Sequence, residues 1–396
     1  MGNPLEALEF HGQSVWLDYI RRDLIADGEL QRLIDEDGVR GVTSNPAIFE
    51  KAIAGSTDYS DVLAEAGSRS LDAKAIYESI AVSDIRDAAL VLLPTYDRTA
   101  RRDGYVSLEV SPKLARDARG TIEEARRLWK AVARPNLMIK VPATPEGIIA
   151  IRQLISEAIN VNVTLLFSQD TYEEVVEAYL AGLEDRVASG ADVEGIASVA
   201  SFFISRIDSI VDERIKRQNL SRSLLGKVAI ANARLTYRRY GELFEGPRWN
   251  ALSYLGAQTQ RVLWASTGTK NPEYRDVLYV EELIGPDTVN TLPPATLAAF
   301  RDHGLVRASL FEDVEGAEET MSQLAKEGIP IKEVTDLLLE QGLQLFSDAF
   351  DKLLAAVRQR SGMVVSGMVD LDTSTNPANS GLAPRISPSD KPAAGR

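Results

Sequence analysis

Along the first three quarters of the chain, short apolar runs alternate with longer segments whose apolar residues recur at helical spacing. Short apolar runs bounded by breakers predict strands, and the longer amphipathic segments predict helices. The predicted strands are Ser14–Asp18, Gly38–Thr43, Tyr105–Val110, Leu137–Val141, Asn160–Leu165, Ile196–Phe202, Arg261–Ala265 and, less sharply, Val277–Leu283. Helical patterns between them run over Ile20–Ile34, Asp72–Arg101, Ile122–Val132, Glu146–Ser156, Ser168–Ala188, Arg206–Phe244 and Pro294–Asp302. Alternation of this kind implies an α/β protein with parallel strands and crossover helices. About eight units in roughly 300 residues fit a (β/α)8 TIM barrel. A doubly wound open sheet is the alternative. It is disfavoured because neither G-x-G-x-x-G nor G-x-x-x-x-G-K-[ST] occurs. Beyond Val306 the pattern is purely helical, and the amphipathic stretch Val334–Arg358 is expected to pack on the barrel. From Ser361 the composition shifts to Ser, Gly, Asn, Asp and four prolines. Residues 1–360 are therefore expected to form one barrel unit with a C-terminal helical extension, and 361–396 a disordered tail.

In such a barrel the inward residues near the C-terminal strand ends build the active site. This chain places a polar residue there again and again: Asp18, Asn45, Glu109, Lys140, Asn162 with Thr164, Ser201 with Arg206 close behind, and Ser266 followed by Lys270. Lys140 stands out. In Leu137-Met138-Ile139-Lys140-Val141-Pro142, Lys140 shares a face with Met138, opposite Leu137, Ile139 and Val141. Burying an ammonium is costly unless it sheds its proton, and an uncharged amine is what Schiff-base chemistry with a ketone requires. Each residue also has a plainer reading. Lys140 could snorkel to water, a strand-end carboxylate could act as a cap, and Asn45-Pro46 could be an ordinary turn. Arg206 could pair with Asp208 or Asp212 on a solvated helix face. Two carboxylates, a lysine and several hydroxyl and amide groups converging on one mouth favour chemistry over stability.

Composition narrows that chemistry. With no cysteine there is no thiolate, disulfide or Cys-ligated metal, and two histidines, His11 and His303, exclude HExxH and multi-histidine sites. Acid–base work falls to Asp, Glu, Lys and Tyr. No metal and no cofactor are expected. A net charge of −14 argues against nucleic acid or an anionic membrane as partner, while leaving room for a small anion held by a local Arg or Lys cluster. With no secretion signal and no stretch fit to span a bilayer, the chain reads as soluble and cytoplasmic.

Several motifs resemble the signatures of transaldolases. They are Val42-Thr43-Ser44-Asn45-Pro46, Asn136-Leu137-Met138-Ile139-Lys140-Val141-Pro142-Ala143-Thr144 and Asn162-Val163-Thr164-Leu165-Leu166-Phe167-Ser168. Val199-Ala200-Ser201-Phe202-Phe203-Ile204-Ser205-Arg206 is similar to the segment that follows them. The likeness covers roughly residues 10 to 310, and the length looks like the longer bacterial branch. The resemblance implies a (β/α)8 barrel that transfers dihydroxyacetone from sedoheptulose 7-phosphate to glyceraldehyde 3-phosphate. Erythrose 4-phosphate and fructose 6-phosphate would be the products, in the pentose phosphate pathway. By motif position it implies Lys140 as the Schiff-base lysine, Asp18 as the acid/base at the cleaved bond, and Glu109 with Thr164 holding the catalytic water. Asn45 and Asn162 would bind the dihydroxyacetone hydroxyls with support from Ser201. Arg206 and Ser266 would grip the phosphate. One departure is Gly268, where common family members carry a phosphate-binding arginine; Lys270 is expected to substitute as a point charge. The partners would be sugar phosphates, with the oligomeric state, monomer or homodimer, left open. The rivals are an aldolase of the same superfamily, which releases dihydroxyacetone, and a non-catalytic sugar-phosphate binder on the same barrel.

Overall fold

Eight parallel strands close into a barrel in simple chain order. The structure is a computed structural model that describes residues 2–68 and 71–362. Strands β1 to β8 are Gln13–Leu17, Val39–Val42, Tyr105–Glu109, Leu137–Pro142, Val161–Leu166, Ser198–Phe203, Arg261–Ala265 and Thr288–Leu292. The closed circuit excludes the open doubly wound sheet. The expected tail, 361–396, lies outside the described residues from 363 onward. Ser361 instead caps the last helix, with its hydroxyl donating to the Val357 carbonyl at 2.7 Å.

The first seven strands fall where the alternation predicts them. The eighth does not. Val277–Leu283 contains a helical turn, Leu278–Glu281, and the closing strand is the more polar Thr288–Leu292. Two predicted helices are also broken. Ile20–Ile34 splits into Arg22–Ala26 and Glu29–Asp37, and Arg206–Phe244 into Ser205–Gln218 and Val228–Leu243.

The two ends of the barrel are built for different tasks. At the N-terminal end Arg261 pairs with Asp103 at 2.9 Å, and Asp103 also accepts from Ser14 and from the Trp16 indole. Burial alone would push the Asp103 carboxyl up, but the Arg261 charge and these donors hold it below the usual carboxylate range. This closed network plugs the floor. At the C-terminal end the helices start directly on polar caps. Asn45 caps Pro46–Gly55, Thr144 caps Pro145–Ser156 and Ser168 caps Gln169–Ala188, the first two with proline at the opening position. The Asn45-Pro46 pair is thus a helix start rather than a free turn.

The C-terminal helix Ile331–Arg360 packs against helix Pro46–Gly55 and reaches the end of β5. There Leu165 adopts φ +60°, and the β5–β6 register slips between Val163 and Leu166. Gly342 lets the helix approach: a Cβ at that position would lie 2.8 Å from the Leu165 side chain. Phe350 meets Tyr77 edge-on at 5.8 Å, and Tyr77 in turn meets Phe49. The amphipathic stretch therefore lies over the open end of the barrel.

Candidate active site

Register brings three predicted residues level. Glu109 on β3 pairs with Lys140 on β4, which pairs with Asn162 on β5. All three are buried, with Lys140 only 5% exposed. The Lys140 ammonium donates to the Ser44 carbonyl at 3.1 Å, so its hydrogen-bond partner is neutral rather than a carboxylate. Asn162 is locked at both ends of its amide. Its nitrogen donates to Ser107 Oγ at 3.0 Å, and its oxygen accepts from Ser201 Oγ at 2.7 Å. A side chain held in this way has no rotamer freedom.

Above this layer lies a cavity of about 590 Å³ lined by Asp18, Asn45, Lys140, Ser201, Arg206, Ser266 and Lys270, among others. It is large enough for a sugar phosphate. Glu109, Asn162 and Thr164 do not line it; Glu109 and Asn162 sit in the barrel wall level with Lys140, and Thr164 pairs with Pro142, two residues nearer the open end. Glu109 Oε2 and Thr164 Oγ1 are buried without a hydrogen-bond partner. Buried polar atoms rarely stay unsatisfied, and an acceptor and a hydroxyl left open in one wall fit a bound water.

Burial raises the Asp18 carboxyl above its usual range, against the pull of the Lys140 charge, the Thr43 hydroxyl and the Lys270 charge. Burial likewise raises Glu109 to about 7, with Lys140 opposing and Asp18 adding to the rise. Each tenfold of proton affinity is worth about 1.4 kcal/mol, so the change from the ordinary 4.5 is on the order of 3 kcal/mol. The folded protein binds this proton more tightly than the unfolded chain. Stability is thus full below pH about 4.5 and declines as pH rises to about 7. Glu109→Gln, which has no proton to lose, is expected to gain up to that amount over the wild type at pH 8 and little at pH 4.5. Urea denaturation of both proteins at the two pH values checks it, and an equal difference at both would remove the buried acid as the cause.

Several residues at the mouth were not singled out in the sequence. The Thr43 hydroxyl stands 2.7 Å from Asp18 Oδ1 and 2.7 Å from the Thr291 hydroxyl, joining β1, β2 and β8. Tyr19, Lys51, Phe203 and Phe346 also line the cavity. Phe346, expected only to pack, comes from the helix that covers the mouth. Arg206 does not pair with Asp208 or Asp212; its guanidinium lies 5.5 Å above the Phe203 ring, and burial lowers its proton affinity. Lys270 Nζ lies 3.9 Å from where a Cβ on Gly268 would be, so this ammonium occupies the surroundings of the missing arginine.

Fold and site together define a (β/α)8-barrel protein with one buried amine among acids and amides at its open end. The chain belongs to the transaldolase/fructose-6-phosphate aldolase family, whose model matches residues 15–357. It is 49% identical over 348 residues to a transaldolase of Thiobacillus denitrificans, covering 87% of this chain and 97% of the relative. A transaldolase of Trichodesmium erythraeum is 48% identical over 90% of this chain and 97% of its own length. One from Neisseria gonorrhoeae is 48% identical over 87% and 96%. Among the described residues, no helix is long and apolar enough to cross a membrane.

Proposed function

We propose that the chain is a transaldolase, moving a dihydroxyacetone unit from sedoheptulose 7-phosphate to glyceraldehyde 3-phosphate. The observation that carries this reading is Lys140, buried level with Glu109 and Asn162 and sharing one cavity with Asp18. Lys140 attacks the ketose C2 carbonyl, and loss of water leaves an iminium. Asp18 then takes the proton of the C4 hydroxyl while the C3–C4 bond breaks. The bonding pair flows into the iminium to give an enamine, so the protein supplies its own electron sink. Erythrose 4-phosphate leaves. The enamine carbon attacks the aldehyde of the acceptor, Asp18 returns its proton to the new alkoxide, and hydrolysis frees Lys140 and fructose 6-phosphate.

Glu109, raised to about 7, is ready near neutral pH both to give and to accept a proton through water shared with Thr164. The amide oxygen of Asn45 accepts from the Ile48 N–H, which leaves its NH2 end for a donor hydroxyl. Ser201, which lines the cavity and is fixed by its bond to the Asn162 amide behind it, fits the other hydroxyl. Arg206, Ser266 and Lys270 form the phosphate end. Sugar phosphates are the partners of this reading, and the cytoplasm, where phosphorylated sugars are retained, is its compartment.

The rival within the family is cleavage with release of dihydroxyacetone. The buried acid at position 109, suited to handling protons in imine formation, favours transfer. Incubation with fructose 6-phosphate and erythrose 4-phosphate is expected to give sedoheptulose 7-phosphate and glyceraldehyde 3-phosphate, with little free dihydroxyacetone. Release of dihydroxyacetone at one rate with or without the acceptor would overturn the transferase assignment.

A further inference from the structure

The helix that begins with Ser205-Arg206 also carries Asp208 and Asp212, both buried. These carboxylates reach away from Arg206, toward the loop that follows β7. Tyr279 donates its hydroxyl to Asp208 Oδ2 at 2.9 Å, and Tyr274 donates to Asp212 Oδ2 at 2.6 Å. The second oxygen of each takes a backbone N–H: Ala229 to Asp208 at 2.8 Å and Gly226 to Asp212 at 3.2 Å. Gly226 sits at φ +70°, and a Cβ there would come 2.9 Å from the Tyr274 ring, so the tyrosine needs a glycine beside it.

The same loop carries Ser266 and Lys270. Its first end is tied to the Arg206 helix by Ser205, whose N–H donates to the Ser266 carbonyl at 3.1 Å and whose hydroxyl lies 3.0 Å from that of Ser266. Its far end is tied by Tyr274. Between the two, the Tyr274 N–H donates to the Asn271 carbonyl at 3.1 Å, and Thr269 Oγ1 donates to the Arg275 carbonyl at 3.0 Å. Lys270 is thus held in a turn whose anchors both lie on the helix of Arg206. A lysine is a compact charge on a flexible stem, so where its backbone is fixed decides where the charge can reach.

We propose that the Tyr274–Asp212 hydrogen bond is a positioning device that holds the Lys270 loop against the Arg206 helix and so sets how tightly the substrate phosphate is gripped. Tyr274 does not line the cavity and acts only through the loop. This inference rests on the reading of Arg206 and Lys270 as the phosphate end.

Kinetics with fructose 6-phosphate and with unphosphorylated fructose as donors test it. Tyr274→Phe is expected to raise KM for fructose 6-phosphate about five- to tenfold, less than the full cost of losing one hydrogen bond to a charged acceptor because the loss reaches the phosphate only through the loop. Its kcat should stay within about twofold, and kcat/KM for fructose should not change by more than that. The inhibition constant of inorganic phosphate should rise by the same factor as KM. Asp212→Ala, which also frees the Gly226 N–H, should give at least that shift, and the double variant no more than Asp212→Ala alone, because both single variants remove the Tyr274–Asp212 bond. If Asp212→Ala does not fold, Tyr274→Phe decides alone. Arg206→Ala is the control for the underlying reading and should erase the preference for the phosphorylated donor. If it leaves the preference intact, the phosphate assignment itself falls. If it erases the preference while Tyr274→Phe leaves KM unchanged, slows both donors alike or only lowers the melting temperature, the positioning role is overturned. Additive effects of the two single variants overturn it as well.

Discussion

Lys140→Ala is expected to lose at least about 10⁴-fold in kcat, because the covalent intermediate cannot form and the remaining groups have no bond to act on. Three lysines line the cavity, Lys51, Lys140 and Lys270, so loss of activity by itself does not identify the nucleophile. Lys51 and Lys270 are exposed, whereas Lys140 is 5% exposed and its partner is the neutral Ser44 carbonyl. Of the three, only Lys140 stands within the barrel wall, level with Glu109 and Asn162 and with no carboxylate in direct hydrogen bond. Borohydride added with fructose 6-phosphate should therefore fix a substrate fragment to one peptide only, the one containing Lys140. The alanine variant should show no reduced adduct. An adduct mapped to Lys51 or Lys270, or one that persists in Lys140→Ala, would refute the assignment.

The residues that carry this chemistry were legible because a strand imposes a strict period of two. Once Leu137–Pro142 and Tyr105–Glu109 are read as strands, Lys140 and Glu109 must face the axis, and parallel register sets them level. The eighth strand was not legible for a related reason. Thr288-Val289-Asn290-Thr291-Leu292 lines a barrel whose interior is polar at this side, so it lacks a continuous apolar run. The preceding Val277–Leu283 opens with such a run, Val277 to Val280, because Tyr279 and Val280 are buried on a turn of helix. With β8 displaced in the reading, Thr291 could not be placed beside Thr43 and Asp18. That contact exists only because the barrel closes, bringing the last strand against the first. Helical spacing gave the C-terminal helix and its apolar face but not what the face covers. That depends on Gly342 meeting Leu165, a contact between distant parts of the chain.

Asp18→Asn is expected to separate the two halves of the reaction. The amide keeps the size of the carboxyl and can still accept from Thr43, so the pocket should stay intact. It cannot take the C4 hydroxyl proton. Loss of a positioned base typically costs about 10²- to 10⁴-fold, and here the loss should fall wholly on carbon–carbon cleavage. Imine formation runs through Lys140 and the wall in which Glu109 and Thr164 sit, and should proceed near the wild-type rate. Borohydride trapping reads the difference by mass. The wild type should accumulate the three-carbon dihydroxyacetone adduct, whereas Asp18→Asn should accumulate the whole six-carbon ketose on Lys140. The Asp18 carboxyl is suited to the step because burial raises its proton affinity above that of a surface aspartate, while Lys140, Thr43 and Lys270 pull it down. Thr43→Val removes one of the downward influences and should move the acidic limb of the cleavage rate, where Asp18 takes up its own proton, to higher pH. A three-carbon adduct forming at the wild-type rate in Asp18→Asn would mean that another group takes the C4 proton, and Asp18 would lose its place at the breaking bond.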